Sequence, residues 1–256
     1  MKIIKQAFMA IRQNFTQLVL TQFLFLAVNF FYALFLRMNI AGYLAKLDST
    51  YSSISVIQNM TDTVVQNKQL ESLVSALEPS TRSTVILAFI ITPIILLVAW
   101  ILFQGIIWKI LNKKNIKSTK LYFIQFSVMT VAASLLASLI LYRIKSTTLM
   151  VIFMFIVYYF LTVAYSMISS KTMIEATGAL FIQGIKNFHL FAPYILLLFI
   201  TSIFQSVIFI MLFISFSQKT SAFISPILLV LYTLIVLLLT VFLKAVVAQR
   251  IQQHAV

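Results

Sequence analysis

Apolar side chains fill six stretches of this chain almost without a break: Phe15 to Leu36, Val85 to Trp108, Leu121 to Tyr142, Leu149 to Ser169, Leu190 to Phe216 and Ala222 to Lys244. A helix rises about 1.5 Å per residue and the hydrocarbon core of a bilayer is about 30 Å thick, so each stretch is long enough to cross as a helix. Backbone polar groups in hydrocarbon must be satisfied internally, which leaves helices and closed barrels as the spanning structures. Barrel strands alternate apolar and polar residues over about ten positions. Runs such as Val85 to Trp108 do not alternate, so the pattern predicts an all-α polytopic membrane bundle of six transmembrane helices. Residues 1–256 read as a single membrane domain, with spans at about 15–36, 85–108, 121–142, 149–169, 190–216 and 222–244.

Between the first two spans lies the one sizeable polar segment, residues 37–84, expected to be an extracytoplasmic helical loop. Tyr43, Leu47, Tyr51 and Ile54 form one apolar stripe at helical spacing, and Leu70, Leu73, Val74 and Leu77 form another. With Asp62 as N-cap and Pro79 as terminator of the later helix, the segment predicts a short helical hairpin resting on the bundle mouth or the lipid surface. It is too small to hold a folded sensor core without disulfides or metal. Asn59-Met60-Thr61 is a glycosylation sequon on this outer face.

Charge supplies the orientation. Lys and Arg number 19 against 5 Asp and Glu, for a net charge of +14, in a chain that is 62% hydrophobic and 9% charged. That composition excludes an ordinary soluble globule. With the termini inside, Lys2, Lys5, Arg12, Lys109, Lys113, Lys114, Lys117, Lys120, Lys171, Lys186, Lys244 and Arg250 fall on the cytoplasmic side. The positive-inside rule therefore predicts both termini in the cytoplasm, with the plasma membrane of a prokaryote as the expected location. Asp48, Asp62, Glu71 and Glu78 then lie outside and only Glu175 inside. The basic inner face points to anionic lipid headgroups as partners, with Lys2, Lys5, Arg12, Lys113, Lys114, Lys117, Lys120 and Lys186 as the contacts. Nucleic acid is not an expected partner, because these residues sit at span ends rather than among stacking aromatics. The first span, although preceded by basic residues, is longer than a secretory signal core and reads as a retained anchor.

Two cytoplasmic stretches look alike. Ala7-Phe8-Met9-Ala10-Ile11-Arg12-Gln13-Asn14-Phe15 leads into the first span, and Leu180-Phe181-Ile182-Gln183-Gly184-Ile185-Lys186-Asn187-Phe188 leads into the fifth. Each is an amphipathic segment suited to an interfacial helix, with aromatics in the acyl boundary and cations at the headgroups. The pattern resembles the six-span membrane domain attached to some glycerophosphoryl diester phosphodiesterases and found in related prokaryotic membrane proteins. The resemblance covers residues 5–36 and 171–200 and implies the fold. No hydrolase domain accompanies it here, so it implies no phosphodiesterase activity.

Catalytic chemistry has few groups to draw on. Cysteine is absent, and His189 and His254 have no His-Glu-x-x-His spacing. No span holds a carboxylate for aspartyl proteolysis, and Glu175 stands alone on the inner side, where Lys171 four residues earlier can pair with it. The expectation is a protein that is not an enzyme and has no cofactor. Lys244, at the inner end of the sixth span, is expected to snorkel to the headgroups. Pro193 and Pro226 fall in the first turns of their helices, while Pro93 lies inside the second span and should kink it.

What remains is a polar stripe on the third span, Ser127, Thr130, Ser134 and Ser138, flanked by Ala133 and Ala137, with Gln205 on the fifth. Small hydroxylated faces let helices approach and bond, which makes the third span the expected central helix. The stripe reads either as packing or as a cleft for a headgroup or small solute. Two functional readings follow: a non-enzymatic scaffold or lipid-interacting bundle, or a permease subunit driven by a separate ATPase. In the second, the basic loop from Lys109 to Lys120 would dock that protein partner.

Overall fold

The computed structural model of the protein describes residues 2–57, 63–112, 118–168, 178, 182–217 and 226–254. The elements are α1 (Lys2–Ile57), α2 (Thr63–Ile86), α3 (Thr92–Leu111), α4 (Thr119–Leu141), α5 (Thr147–Met167), α6 (Phe188–Ser217) and α7 (Pro226–His254), with a π-helical turn over Leu87–Ile91. No strand occurs among the described residues. Six helical stretches are long and apolar enough to cross a membrane, α2 and α3 forming one of them. That architecture suits a multi-pass membrane protein.

Local chemistry sets the helix ends. Ser118 and Ser146 are extended N-caps whose hydroxyls accept from the backbone N–H of Leu121 and Leu149, starting α4 and α5. Near Pro93 the helix widens rather than ending. Proline has no N–H to return to the carbonyl four residues back, and the π turn just before it re-pairs the ladder. There the Thr92 hydroxyl donates to the Leu87 carbonyl at 2.7 Å.

Two prolines depart from expectation. Pro79 does not terminate a helix but lies within α2, where the carbonyl it frees belongs to exposed Ser75 and is open to water. Pro193 sits beyond the first turn because α6 begins at Phe188, two residues before the expected span. Pro226 does open α7.

The chain divides into two compact units, Met1–Leu26 with Ala99–Val256, and Ala27–Val98. In the first, α7 is the central helix: over half of its spanning stretch is buried, about twice the share of α4. Between Val241 and Ile251, buried side chains point in every direction, including Leu243, Ala245, Val246, Val247 and Ala248. A helix apolar all round belongs in a core. This corrects the expectation that the third span is central, since a hydroxyl stripe marks one sticky face whereas the C-terminal half of α7, from Val241 on, is enclosed on all of them; its earlier half exposes Tyr232, Ile235 and Leu239.

The second unit is an antiparallel helical hairpin continuous with the first two spans. Tyr32 pairs with Thr92 at 2.9 Å, Tyr43 with Thr81 at 3.2 Å and Lys46 with Ser80 at 3.1 Å, so position rises on one helix as it falls on the other. The buried and half-buried positions include Leu36, Ile40, Tyr43, Leu47, Thr50, Ile54 and Ile57 along α1, and Gln66, Leu70, Leu73, Leu77, Ser80 and Thr84 along α2 with Leu87 at the start of the π turn. Steps alternating between three and four are the seam of a two-stranded coiled coil. Tyr51 and Val74, expected in the apolar stripes, are instead exposed at 67% and 63%. A helix with one partner buries a narrow seam, and Thr50 takes the place expected for Tyr51. Asn59 and Asp62 lie outside the described residues.

Candidate functional site

The twin segments are both interrupted at asparagine. Asn14 breaks α1, with φ −127° and ψ 21°, and its side-chain amide donates to the Ala10 carbonyl at 3.1 Å. Asn187 forms a turn between the helical residues 182–186 and α6. Its amide donates to Gln183 Oε1 at 2.8 Å, and its carbonyl accepts from Leu190 and Phe191. Asparagine suits both places because its side chain competes with the helix for backbone partners. The burial register around the two is the same: Ile11, Leu18 and Gln22 are buried about Asn14, as are Gly184, Phe191 and Ile195 about Asn187.

Away from that buried side the segments expose apolar and basic groups together. Ile4, Phe8, Met9 and Phe15 are exposed in the first, Ile182, Ile185 and Phe188 in the second. Lys5, Arg12 and Lys186 are exposed beside them, as is Lys120 at the start of α4. Lys2 opens α1, its side chain outside the described set, and Lys113, Lys114, Lys117, Lys171 and Glu175 lie outside the described residues. Gln253 Nε2 donates to Gln6 Oε1 at 2.6 Å, tying the end of α7 to the first segment.

The polar stripe of α4 is not one surface. Thr130 is buried and pairs with the Tyr165 hydroxyl at 2.8 Å, while Ser127 and Ser134 are half-buried. Ser138, expected to face inward, is exposed and bonds its own helix through the Ser134 carbonyl at 2.8 Å. Tyr165 stacks on Phe126 with centroids 4.1 Å apart, and its carbonyl accepts from Asn112 at 2.5 Å. Gln252 Nε2 completes this network by donating to Asn112 Oδ1 at 2.6 Å. These bonds join α3, α4, α5 and α7 as packing contacts.

Lys244 is where the structure departs furthest from expectation. It does not snorkel: it is 5% exposed, and Nζ donates to Gln104 Oε1 at 2.6 Å and to Gln22 Oε1 at 3.1 Å. Gln104 Nε2 lies 3.4 Å from Gln22 Oε1, closing a triangle drawn from α1, α3 and α7. The helix runs on to His254, so the lysine is interior rather than terminal. Phe25 packs on Trp100 and Phe103 within a turn of the two glutamines. One turn before Lys244, the Thr240 hydroxyl donates to the Val236 carbonyl at 2.8 Å and lies 3.4 Å from Gln205 Oε1. Gln205 is half-buried, and its Nε2 has no partner among the described residues. The sequence signal was the apolar run Ala245-Val246-Val247-Ala248 after the lysine, which places it inside a span rather than at its edge.

Among the described residues no group of three or more His, Cys, Asp or Glu side chains is placed to hold a metal ion. No protein family, curated protein or solved structure matches the chain.

Proposed function

We propose that this is a non-enzymatic, lipid-interacting multi-pass protein of a prokaryotic plasma membrane, with both termini cytoplasmic and the basic inner face resting on anionic headgroups. The observation that carries this reading is the pair of asparagine-broken segments. Each keeps one side in the bundle core and offers exposed apolar and basic side chains on another, the combination an interfacial helix needs. Each basic residue near an anionic surface adds ~1 kcal/mol, screened by salt. Neutralising Lys5, Arg12, Lys120 and Lys186 together should weaken association with phosphatidylglycerol-containing bilayers at low salt and leave phosphatidylcholine unaffected. Salt-insensitive binding that survives the four changes overturns the reading.

A second reading, a permease subunit with a separate ATPase, is favoured by the buried polar cluster around Lys244, since ionisable groups inside spans commonly mark solute paths. Gentle release of the chain from its own membrane should then recover a stoichiometric ATPase bound through the loop from Lys109 to Lys120. Recovery without one counts against it.

A further inference from the structure

The two helices of the hairpin differ on the faces they turn away from each other. On α1, beside the seam with α2, a second set of positions recurs in steps of three and four: Met38, Gly42, Ala45, Ser49, Ser52 and Val56, all exposed. The same spacing runs back into the first span through Val28, Phe31 and Phe35, also exposed, so the stripe is continuous for about eight turns. Phe31 and Met38 are the most open, at 68% and 75%. Arg37, Lys46 and Asp48, the charges of α1 over this length, all lie off the stripe. On α2 the outward positions at the same spacing are Lys68, Glu71, Ser75, Glu78 and Arg82, exposed and, apart from the serine, all charged. The back of α2 is therefore made for water and the back of α1 is not.

Alternating steps of three and four make a coiled-coil seam, and small side chains in it let two helices approach closely. The Ser49 and Ser52 hydroxyls already donate to the carbonyls of Lys46 and Ser49 on their own helix, each at 2.8 Å, so covering them strands no donor. The stripe calls for a helix with the same repeat that also continues from the membrane into the loop. A second α1 has both properties, and copies inserted with one topology run parallel about a two-fold axis. Lys46 and Asp48 take the e and g positions on opposite edges of this second seam. In a parallel pair the e residue of each helix lies on the same edge as the g residue of the other, so opposite charges share both edges. We propose that the protein is a parallel dimer joined along this stripe, with the two copies of α1 back to back and the charged backs of α2 facing water. The contact uses none of the side chains of the cytoplasmic segments and does not rest on lipid binding.

The chain has no cysteine, so single cysteines report the contact without background. In membranes holding the whole chain, oxidation with copper phenanthroline should join Ala45→Cys and Ser52→Cys into disulfide-linked dimers. Leu44→Cys and Tyr51→Cys, exposed but off the stripe, should give at least about fivefold less product, because a parallel seam brings only its own positions within disulfide reach. Photobleaching steps counted on fluorescently labelled chains in liposomes read the same association without a cross-link. Two chains per spot are expected for the wild type. Ala45→Glu and Ser49→Glu together should weaken pairing at least about tenfold, since like charges then meet in the seam. Both positions are exposed in a single chain, so helix content should stay the same, and circular dichroism checks it. Equal cross-linking on and off the stripe overturns the proposal, as do single chains in the wild type at every protein-to-lipid ratio or dimers that survive the two glutamates. Neutralising Lys5, Arg12, Lys120 and Lys186 should leave the cross-linking pattern intact, so this proposal and the lipid reading fail independently.

Discussion

In the bundle unit a buried residue answers to several helices at once, whereas in the hairpin unit each inward residue answers to one partner. Tyr165 stacks on Phe126 of α4, bonds Thr130 of the same helix and lends its carbonyl to Asn112 at the end of α3. In the hairpin, Tyr43 meets Thr81 and Lys46 meets Ser80, and the faces away from the seam are exposed. Residue types of the same general kind therefore carry different weight in the two units. A large loss on truncation requires a site that cannot collapse, and enclosure on every side supplies it.

The largest expected difference comes from truncating one inward side chain in each unit. Tyr165→Ala should cost ~4 kcal/mol, the amount typical of emptying an aromatic site in a core, and it also removes the cross-helix partner of Thr130, which keeps its bond to the Phe126 carbonyl. Leu47→Ala, at a half-buried seam position, should cost ~1 kcal/mol. Denaturant unfolding in detergent measures both, and equal losses would remove the distinction between the units.

Glycine sharpens the same contrast. A methyl group added at Gly105 would lie 2.9 Å from Phe123 Cε1 and 3.5 Å from Phe126 Cδ1, so the Phe123 ring must shift. Gly105→Leu should destabilise by ~2 kcal/mol, with Gly105→Ala costing less because a ring edge can move. At Gly42, in the hairpin, an added methyl group meets nothing within 4 Å. Gly42→Ala should stabilise its helix by up to ~1 kcal/mol, since glycine is the poorer helix former. Opposite signs in the two melting temperatures are the expected result. A loss at both positions would mean that α1 is enclosed near Gly42.

The hairpin seam gives a smaller effect. Thr50→Leu should raise hairpin stability by ~1 kcal/mol through added seam burial, while Tyr51→Ala should change it by less than ~0.5 kcal/mol. Hydrogen exchange over α1 and α2 reads both. A reversed order would restore the Tyr51 stripe.

Much of this fold was legible in the sequence because a membrane span is a property of local composition. The six apolar runs became helical stretches able to cross a bilayer, and the pair of stripes announced the hairpin. Its seam was misplaced at Tyr51 because a single helix does not say how wide a face its partner will cover, and Thr50 is not apolar. The candidate site was mostly hidden. Gln22, Gln104 and Lys244 are polar residues 82 and 140 positions apart, and nothing local to any one of them records the other two. The end of α7 was set at Lys244 because charge normally marks a membrane boundary, but apolar residues continue beyond it and draw the lysine inside. Asn14 and Asn187 were legible as a repeated motif, although not as the residues that break the helices.

The smallest effect is the most pointed test of the α4 stripe. Ser134 and Ser138 look equivalent in sequence, four residues apart on a helix rich in small residues. In the structure Ser138 is exposed and its hydroxyl returns to the Ser134 carbonyl, so it makes no bond to another helix there. Leucine at that position would face lipid in a membrane and lose only a bond within its own helix. Ser138→Leu should therefore leave thermal stability within ~0.5 kcal/mol of wild type. Thr130→Val removes a buried hydroxyl that pairs with Tyr165 across helices, and a cross-helix bond of this kind in a membrane bundle contributes ~0.6 kcal/mol and up to ~1.7 kcal/mol. The ordering, with Thr130→Val the more damaging, is what distinguishes a stripe divided between packing and lipid from one that faces inward along its whole length. A loss in Ser138→Leu as large as that in Thr130→Val would mean that a further surface covers the C-terminal half of α4.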